Sequence, residues 1–414
     1  MISVPRGSHP AAPGGALLIS ALSFAMATGA TGTYSFSTLS PFLTQELGLS
    51  AGSIGMLLSG LYVVAASSSG VIGRIADRAD PVWVILIGAT CSLLASVALA
   101  STFGWPGLVV TVILGGLAMS ASNPGSNGMI AHRIPPGSRA FATGIKQSGA
   151  TGAGLYLAVV LPPLAVLVGW RLAALAAIVI PMLAIATVLA GRKAPAAQLE
   201  LELEAPQSEV HPSRARWLGW LALYALLLGV ATGICNGFYV LYATHLGFGA
   251  VTAGFVFGVF ALASVGARVV WARLTERGAR PAVLLQVVAA LGACSALFCL
   301  AAPFAGPWII WIAAALAGST IVGWNALGMV TIMLNVPRRA VGVSAARMLR
   351  GFFVGLAIGP LLFGLLVEVS DYLWGWILQL VVLLLAVGAA AMFGRTVARP
   401  ISAADQGDND EEVV

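Results

Sequence analysis

The sequence carries very little charge. Charged residues make up only 9% of its 414 residues, whereas hydrophobic residues make up 59%. A water-soluble fold needs polar side chains to cover its surface, and this chain has too few of them. These proportions exclude a soluble enzyme or a soluble binding domain and indicate that lipid surrounds much of the chain.

Residues that hold metals, disulfides or catalytic groups are scarce as well. The chain has four cysteines and four histidines. The cysteines lie in apolar stretches without the paired spacing of a metal site, which favours small buried side chains over ligands. They are Cys91, Cys235, Cys294 and Cys299. Because nucleophile motifs and phosphate-binding loops are also missing, we expect no enzyme activity, no metal and no cofactor.

Long apolar runs dominate the chain. The core of a bilayer is about 30 Å thick and takes roughly 20 apolar residues per helix. We expect an all-α membrane protein with 12 transmembrane helices, the first of them retained rather than cleaved as a signal peptide. The runs lie near 15–43, 52–73, 81–101, 106–130, 141–167, 172–190, 217–244, 251–273, 281–302, 307–332, 341–366 and 373–394.

Basic residues are distributed unevenly between the loops. If both termini lie on one side, every lysine and arginine except Arg171 falls on that side. Positively charged loops remain in the cytoplasm. We therefore expect a multi-pass protein of the cell membrane with both termini in the cytoplasm.

A polar stretch divides the chain into two halves. Residues 191–216 hold several glutamates and prolines, which predicts a cytoplasmic linker. The halves on either side, 15–190 and 217–395, each contain six of the apolar runs. We expect a cytoplasmic N-terminus over 1–14 and an acidic cytoplasmic tail over 396–414.

The two halves repeat each other. Leu47-Gly48-Leu49 recurs 199 residues later as Leu246-Gly247-Phe248, and Gly128-Met129 recurs after 200 residues as Gly328-Met329. Duplicated six-helix halves are typical of secondary transporters, in which solute binds between the repeats and one repeat rocks against the other.

The loop between spans 2 and 3 carries a recognisable motif. Gly73, Asp77 and Arg78 match a Gly-x-x-x-Asp-Arg signature, and Glu276 and Arg277 form its weakened counterpart in the second half. On these residues the chain resembles the major facilitator superfamily over nearly its whole length. The resemblance implies two pseudo-symmetric six-helix bundles, with spans 1, 4, 7 and 10 lining the solute cavity.

The motif residues are candidates for gating. An Asp-Arg pair at a helix end can cap that helix and pair with charges of the opposite half when the cytoplasmic side is closed. The alternative is an ordinary positively charged cytoplasmic loop.

The apolar runs contain no carboxylate in their middle. All aspartates and glutamates fall in loops, at the ends of runs or in the termini. A cationic solute would therefore lack a partner in the membrane, where ionisable groups are functional candidates by default. Because the charges that remain are basic, an anionic solute is favoured.

Four basic residues are candidates for contacting the anion: Arg268, Arg350, Arg347 and Lys146. Arg350 lies about 14 Å along span 11, which makes it the deepest predicted charge, and Arg347 shares its helix face. In relatives that transport monocarboxylates, oxalate or nitrate, an arginine at the place of Arg268 binds the anion. The alternative is that these long side chains reach the lipid headgroups.

Neutral polar residues of spans 1, 4, 7 and 10 complete the predicted site. They are Tyr34, Asn123, Asn127, Asn236, Tyr239, Trp324 and Asn325. For any one of them the alternative is a hydrogen bond between helices, worth about 0.6 kcal/mol.

Glycines recur on spans 5 and 11. Gly351, Gly355 and Gly359 repeat every four residues, and Gly149 and Gly152 form a shorter pair. Small residues at such spacing let two membrane helices approach closely, so we expect these glycines to serve packing rather than chemistry.

These features predict a secondary active transporter for a small anionic organic or inorganic solute, working by alternating access with proton symport or exchange. An exporter of drugs or metabolites from the same superfamily is the alternative, with an apolar pocket formed by Tyr34, Phe36, Trp324, Tyr239 and Phe352. A membrane sensor without flux is more remote. We expect a monomer whose partners are the solute, the bilayer and, in a symporter, protons, with no nucleic acid.

Overall fold

The computed structural model describes residues 13–135, 138–191, 216–337 and 340–397. Within these ranges 12 helices are long and apolar enough to cross a membrane, which confirms the expected fold class. They are α1 (Pro13–Leu47), α2 (Ala51–Arg78), α3 (Pro81–Ala100), α4 (Trp105–Arg133), α5 (Arg139–Val168), α6 (Trp170–Gly191), α7 (Arg216–His245), α8 (Ala250–Glu276), α9 (Pro281–Ala305), α10 (Ile309–Asn335), α11 (Val341–Val369) and α12 (Tyr372–Val397). The predicted N-terminus, linker and acidic tail fall almost wholly outside the described residues.

Two of these helices are irregular in their middle. Helix α6 passes through a 3-10 turn at Ala176–Ile178, and α10 passes through a π-helical turn at Gly318–Val322. The Tyr156 hydroxyl donates to the Ala176 carbonyl oxygen at 3.1 Å. A half-buried carbonyl at the 3-10 turn of α6 thus accepts a hydrogen bond from a side chain of α5.

The loop after the Asp-Arg motif is built to start α3. Asp80 accepts a hydrogen bond from the Val82 amide at 2.9 Å through its carboxylate, and Pro81 occupies the first helical position. An acidic cap followed by proline is a favourable helix start, because the cap satisfies a free amide and proline has none to satisfy. The Asp80-Pro81 pair therefore has a structural role at this turn.

The sequence repeat is also visible in the backbone. Gly48 follows α1 with φ of 64°, and Gly247 follows α7 with φ of 93°. Both angles lie in the left-handed region that glycine adopts without a steric penalty, which is the common way to end a helix. The repeated Leu-Gly pair thus encodes the same helix stop in each half.

The helices gather into two compact units. The first comprises the described residues up to Phe42 and those from Val63 to Gly191, and the second comprises Leu43–Tyr62 with the described residues from 216 onward. In the first unit, a buried cluster joins α1, α3, α4 and α6 through Leu22, Ile85, Met129 and Val188.

The segment Leu43–Tyr62 packs against α7 and α11 in the second unit. A Cβ added to Gly237 would lie 2.7 Å from Leu58 Cδ1, and one added to Gly55 would strike the Pro360 carbonyl. At the start of α2, the Ser50 hydroxyl donates to a Glu368 carboxylate oxygen at 2.8 Å. Contacts this close tie the first turns of α2 to α11.

The acidic residues within the described ranges all stand at helix ends along the chain, as expected. Each is the last or the second-to-last residue of a helix, or directly precedes the next helix: Glu46, Asp77, Asp80, Glu276, Glu368 and Asp371. Within the described ranges, no group of three or more acidic, cysteine or histidine residues could hold a metal ion.

The glycine stripe of α11 has the predicted packing role. A Cβ added to Gly351, Gly355 or Gly359 would strike a backbone carbonyl of α7. Gly149 likewise packs on the backbone of Ser23 in α1. The expectation for Gly152 was wrong, because a Cβ there would meet nothing within 4 Å.

The expectation that the cysteines are buried was right only for some of them. All four cysteines are free, and Cys235 and Cys299 are buried. Cys91 is half-buried, and Cys294 is exposed because it lies on the face of α9 that also exposes Leu291 and Leu297. An apolar helix segment has packed and exposed faces, and composition alone does not distinguish them.

Candidate functional site

Lys146 is the one charged side chain that is buried among the described residues. It lies on α5 and is only 1% exposed. Burying a charged group without partners is very costly, so a buried ammonium requires a polar environment. Lys146 therefore marks a polar point inside the first unit.

The partners of this ammonium all come from α4. Lys146 Nζ donates to Ser126 Oγ at 3.0 Å and to Asn123 Oδ1 at 3.4 Å, and it also donates to Asn127 Oδ1. An ammonium has three donors and no acceptor, so these three oxygens satisfy it completely. All three are neutral, so none of these partners carries a negative charge to compensate the ammonium.

The structure thus brings together three residues that the sequence singled out. The sequence placed Lys146 on span 5 and both Asn123 and Asn127 on span 4. In the structure, the Lys146 ammonium on α5 donates hydrogen bonds to both asparagines on α4. Ser126 was missed because serine usually bonds to its own helix, as this one also does with the Ser122 carbonyl at 2.6 Å. Its position three residues after Asn123, on the same helix face, was the available signal.

Helix α1 adds buried hydroxyl groups to the first unit. Thr33 and Ser37 are one turn apart, 3% and 0% exposed, and their hydroxyl oxygens have no hydrogen-bond partner among the described residues. Tyr34 is half-buried, with its ring against Gly154 of α5. Of these three residues only Tyr34 was predicted, although a dense run of serine and threonine in an apolar span was a visible signal.

In the second unit, the predicted residues of α7 are buried. Asn236 is 7% exposed, and its Oδ1 has no hydrogen-bond partner among the described residues. The Tyr239 hydroxyl donates to the Ala313 carbonyl oxygen at 3.3 Å. Gln379 of α12, which was not predicted, donates to the Ala231 carbonyl oxygen at 3.3 Å. A lone glutamine in an apolar span was the signal for it.

The predicted residues of α10 lie beside an aromatic cluster. Trp324 is fully buried, with ring centroids 5.7 Å from Tyr224 and 5.5 Å from Phe352. Its indole nitrogen has no acceptor among the described residues, and Asn325 is half-buried. Trp324 and Phe352 thus pack on each other. Both belong to the set of rings that would form an apolar pocket if the protein were an exporter.

The basic candidates differ in how far their side chains are buried. Arg347 and Arg350 of α11 are exposed. The depth predicted for Arg350 along its span stays a prediction. Arg268 is half-buried on α8.

Two other basic residues serve helix ends. Arg139 donates to the carbonyl oxygens of Ala131 and Ile134 at 2.9 and 3.1 Å, and Arg133 donates to that of Gly191 at 2.9 Å. The last carbonyls of a helix have no partner in the helix, and cations are favourable there. These arginines stabilise the ends of α4 and α6.

The gating motif lies at the ends of α2 and α8. Gly73 is half-buried, whereas Asp77, Arg78 and Arg277 are exposed. The side chain of Glu276 lies outside the described part of the structure. Gating by these residues stays a prediction.

Comparison of the sequence with known proteins gives a family match across most of the chain. The sequence profile of the Major Facilitator Superfamily matches residues 19–351. The chain is also 27% identical over 135 residues to a hexuronate transporter of Bacillus subtilis (strain 168). That alignment covers 33% of this chain and spans only 32% of the relative.

Solved transporter structures share the fold. A bacterial homologue of the human lysosomal transporter Spinster, in an inward-facing and occupied conformation, aligns with a TM-score of 0.73 at 17% identity, over 94% of this chain and 98% of that one. The nucleoside transporter NupG, in a mutant form, aligns with a TM-score of 0.72 at 16% identity, over 91% and 99%. Identities this low establish the fold alone.

Proposed function

The chain belongs to the Major Facilitator Superfamily and is a membrane transporter rather than an enzyme, and from this premise we propose that its solute is a small organic anion. Lys146 is the proposed anchor for a carboxylate of the solute. Asn123, Ser126 and Asn127 surround the same ammonium and are proposed to contact the bound anion.

The observation that carries the proposal is the buried, uncompensated charge of Lys146. Its three partners are neutral, and no carboxylate is among its hydrogen-bond partners in the described ranges. A bound anion would supply the missing counter-charge, and charge-assisted hydrogen bonds are about twice as strong as neutral ones. A cationic solute would be repelled at the same point.

The hexuronate relative supports a carboxylate-bearing solute. A hexuronate combines one carboxylate with several hydroxyl groups. The first unit offers an ammonium and, on α1, the buried hydroxyls of Thr33 and Ser37. We therefore propose a hydroxylated carboxylate, such as a sugar acid, before an inorganic anion.

We further propose that Arg268 and Arg350 are secondary contacts, and that the cytoplasmic ends of α2 and α8 serve as gates. Coupling is proposed to be either proton symport or exchange. The described carboxylates lie only at helix ends, so a proton would travel on the solute itself or at those ends. Uptake under an imposed pH gradient, with and without internal solute, distinguishes symport from exchange.

The first test compares two solutes that differ in the carboxylate. Proteoliposomes loaded with unlabelled glucuronate are assayed for uptake of labelled glucuronate. Proteoliposomes loaded with unlabelled glucose are assayed for uptake of labelled glucose. We expect uptake of glucuronate and none of glucose. Lys146→Met is expected to lower glucuronate uptake by about 10- to 100-fold, because a hydrogen bond to a charged group contributes about 1.5–3 kcal/mol.

The matched control is Arg395→Gln on α12. Arg395 is a basic residue exposed at a helix end, and its loss is expected to leave uptake unchanged. Uptake of neutral glucose or uridine without uptake of any small carboxylate would contradict the proposed anion. Full uptake by Lys146→Met would contradict Lys146 as its anchor.

A further inference from the structure

The middle of α4 is a weak stretch of helix. Between Ser120 and Gly128 it contains a proline, two glycines and two asparagines, all poor helix formers. Pro124 has no amide hydrogen, so the Ser120 carbonyl loses its usual partner in the helix. Because lipid offers no water to replace that bond, neighbouring helices must support this stretch.

The hydrogen bonds of Lys146 lie on both sides of Pro124. Asn123 directly precedes the proline, while Ser126 and Asn127 follow it. One side chain of α5 therefore joins the two parts of α4 that the proline separates.

The opposite face of the same stretch is packed on α3. A Cβ added to Gly125 would lie 2.8 Å from Ile85 Cγ1, and one added to Gly128 would lie 2.8 Å from Pro81 Cγ. The weak stretch of α4 is thus held between α3 on one side and the ammonium of α5 on the other.

We propose that Lys146 is also a positioning residue that braces α4 across Pro124, and that an anion bound to its ammonium releases this brace. The release rests on the proposed function. A carboxylate forms a stronger bond to the ammonium than an amide oxygen does. Asn127, whose side chain is exposed, is the partner that the carboxylate displaces first. Solute binding then frees α4 to bend at Pro124, which couples loading to movement.

The brace is tested without solute by hydrogen exchange in the purified full-length protein. Lys146→Met is expected to speed exchange of the α4 amides after Pro124 by about tenfold or more, because local opening follows the loss of supporting bonds. The corresponding part of α10, from Trp324 to Asn335, is the internal reference and is expected to stay unchanged.

A double variant makes the test specific. Pro124→Ala restores the missing backbone hydrogen bond, so α4 no longer needs a brace. In the Pro124→Ala background, Lys146→Met is expected to change the exchange rate of the α4 amides by less than about threefold. An equal rise in the exchange rate in the wild-type and Pro124→Ala backgrounds, or no rise in either, would contradict the proposed brace. Asn127→Ala, a milder change expected to give an intermediate rise, keeps the test valid if Lys146→Met misfolds.

Release is tested by adding glucuronate to the wild-type protein. Faster exchange of the same α4 amides supports it. Glucuronate could be transported and yet slow the exchange of these α4 amides or leave it unchanged. That result would contradict the proposed release, while the proposed function would stand. If the brace is present and no carboxylate is transported, the proposed function and the release that rests on it fail, and the brace stands alone.

Discussion

At the scale of single residues, burial separates Lys146 from the other cations. Its side chain is 1% exposed, whereas Arg347 and Arg350 are exposed. All three lie within predicted spans, so their positions along the chain did not show which of them would be buried. The neighbouring helix decides the difference, since α4 presents Asn123, Ser126 and Asn127 to the lysine alone.

Glycine packing in α11 gives a prediction at the same scale. Gly355→Ala would place a methyl group against the Leu226 carbonyl of α7, and forced overpacking costs about 1–3 kcal/mol. We expect the thermal unfolding midpoint of the purified protein to fall by several degrees. Gly388→Ala on α12 is the matched control, because a Cβ there meets nothing within 4 Å and alanine favours helix. A fall of the same size in both variants would contradict the packing role.

At the scale of helices, a proline in α4 and a π-helical turn in α10 lie at related places. The repeat sets Gly128 of α4 against Gly328 of α10. Pro124 lies one turn before the former, and the π-helical turn Gly318–Val322 ends shortly before the latter. π-helical turns occur often at functional sites, and broken helices are common in secondary transporters. Trp271 of α8 contacts the π-helical turn of α10, and Lys146 of α5 is the proposed support for the stretch of α4 around Pro124.

Trp271 gives the prediction at this scale. Its indole nitrogen donates to the Ser319 carbonyl oxygen at 2.7 Å, and Gly323 leaves room for the ring. Trp271→Phe keeps an aromatic ring but removes the donor, so the half-buried Ser319 carbonyl loses this hydrogen bond. Hydrogen exchange of the Gly318–Val322 amides is expected to quicken about tenfold. The control is Trp308→Phe on the exposed Trp308, and equal exchange in both variants would count against the support.

At the scale of the whole molecule, charge and hydropathy define a membrane protein of two six-helix halves. The family match and the 12 helices agree with this organisation. The segment Leu43–Tyr62 lies in the first half of the sequence, but in the structure it belongs to the second unit. Glycines at Gly55, Gly237 and Gly364 allow that close approach.

Orientation gives the prediction for the whole molecule. Arg74 and Arg78 lie near the loop that follows α2, whereas the loop that follows α3 has no lysine or arginine. A fluorescent protein fused after Ala79 is expected to fluoresce, and alkaline phosphatase fused after Gly104 is expected to be active. The swapped fusions serve as controls and are expected to give little signal. The same result at both positions would refute the orientation with cytoplasmic termini.

Much of the fold was predictable because lipid acts on whole segments. A span must be long and apolar, a carboxylate is excluded from its middle, and a duplicated half keeps its Leu-Gly helix stops. These properties are local or periodic in the chain. The 12 spans, the helix-end carboxylates and the close packing of Gly355 could therefore be predicted from the order of the residues.

The faces of the helices were decided only by the tertiary structure. Lipid tails are as apolar as leucine, so a membrane helix needs no polar stripe to show which side is packed. Cys294, Gly152 and Arg350 consequently have exposures that composition did not reveal. The sequence by itself determined that the charges left within the spans are basic. Only the packing of α4 on α5 decided that Lys146 is the buried one, because its partners lie on a different helix.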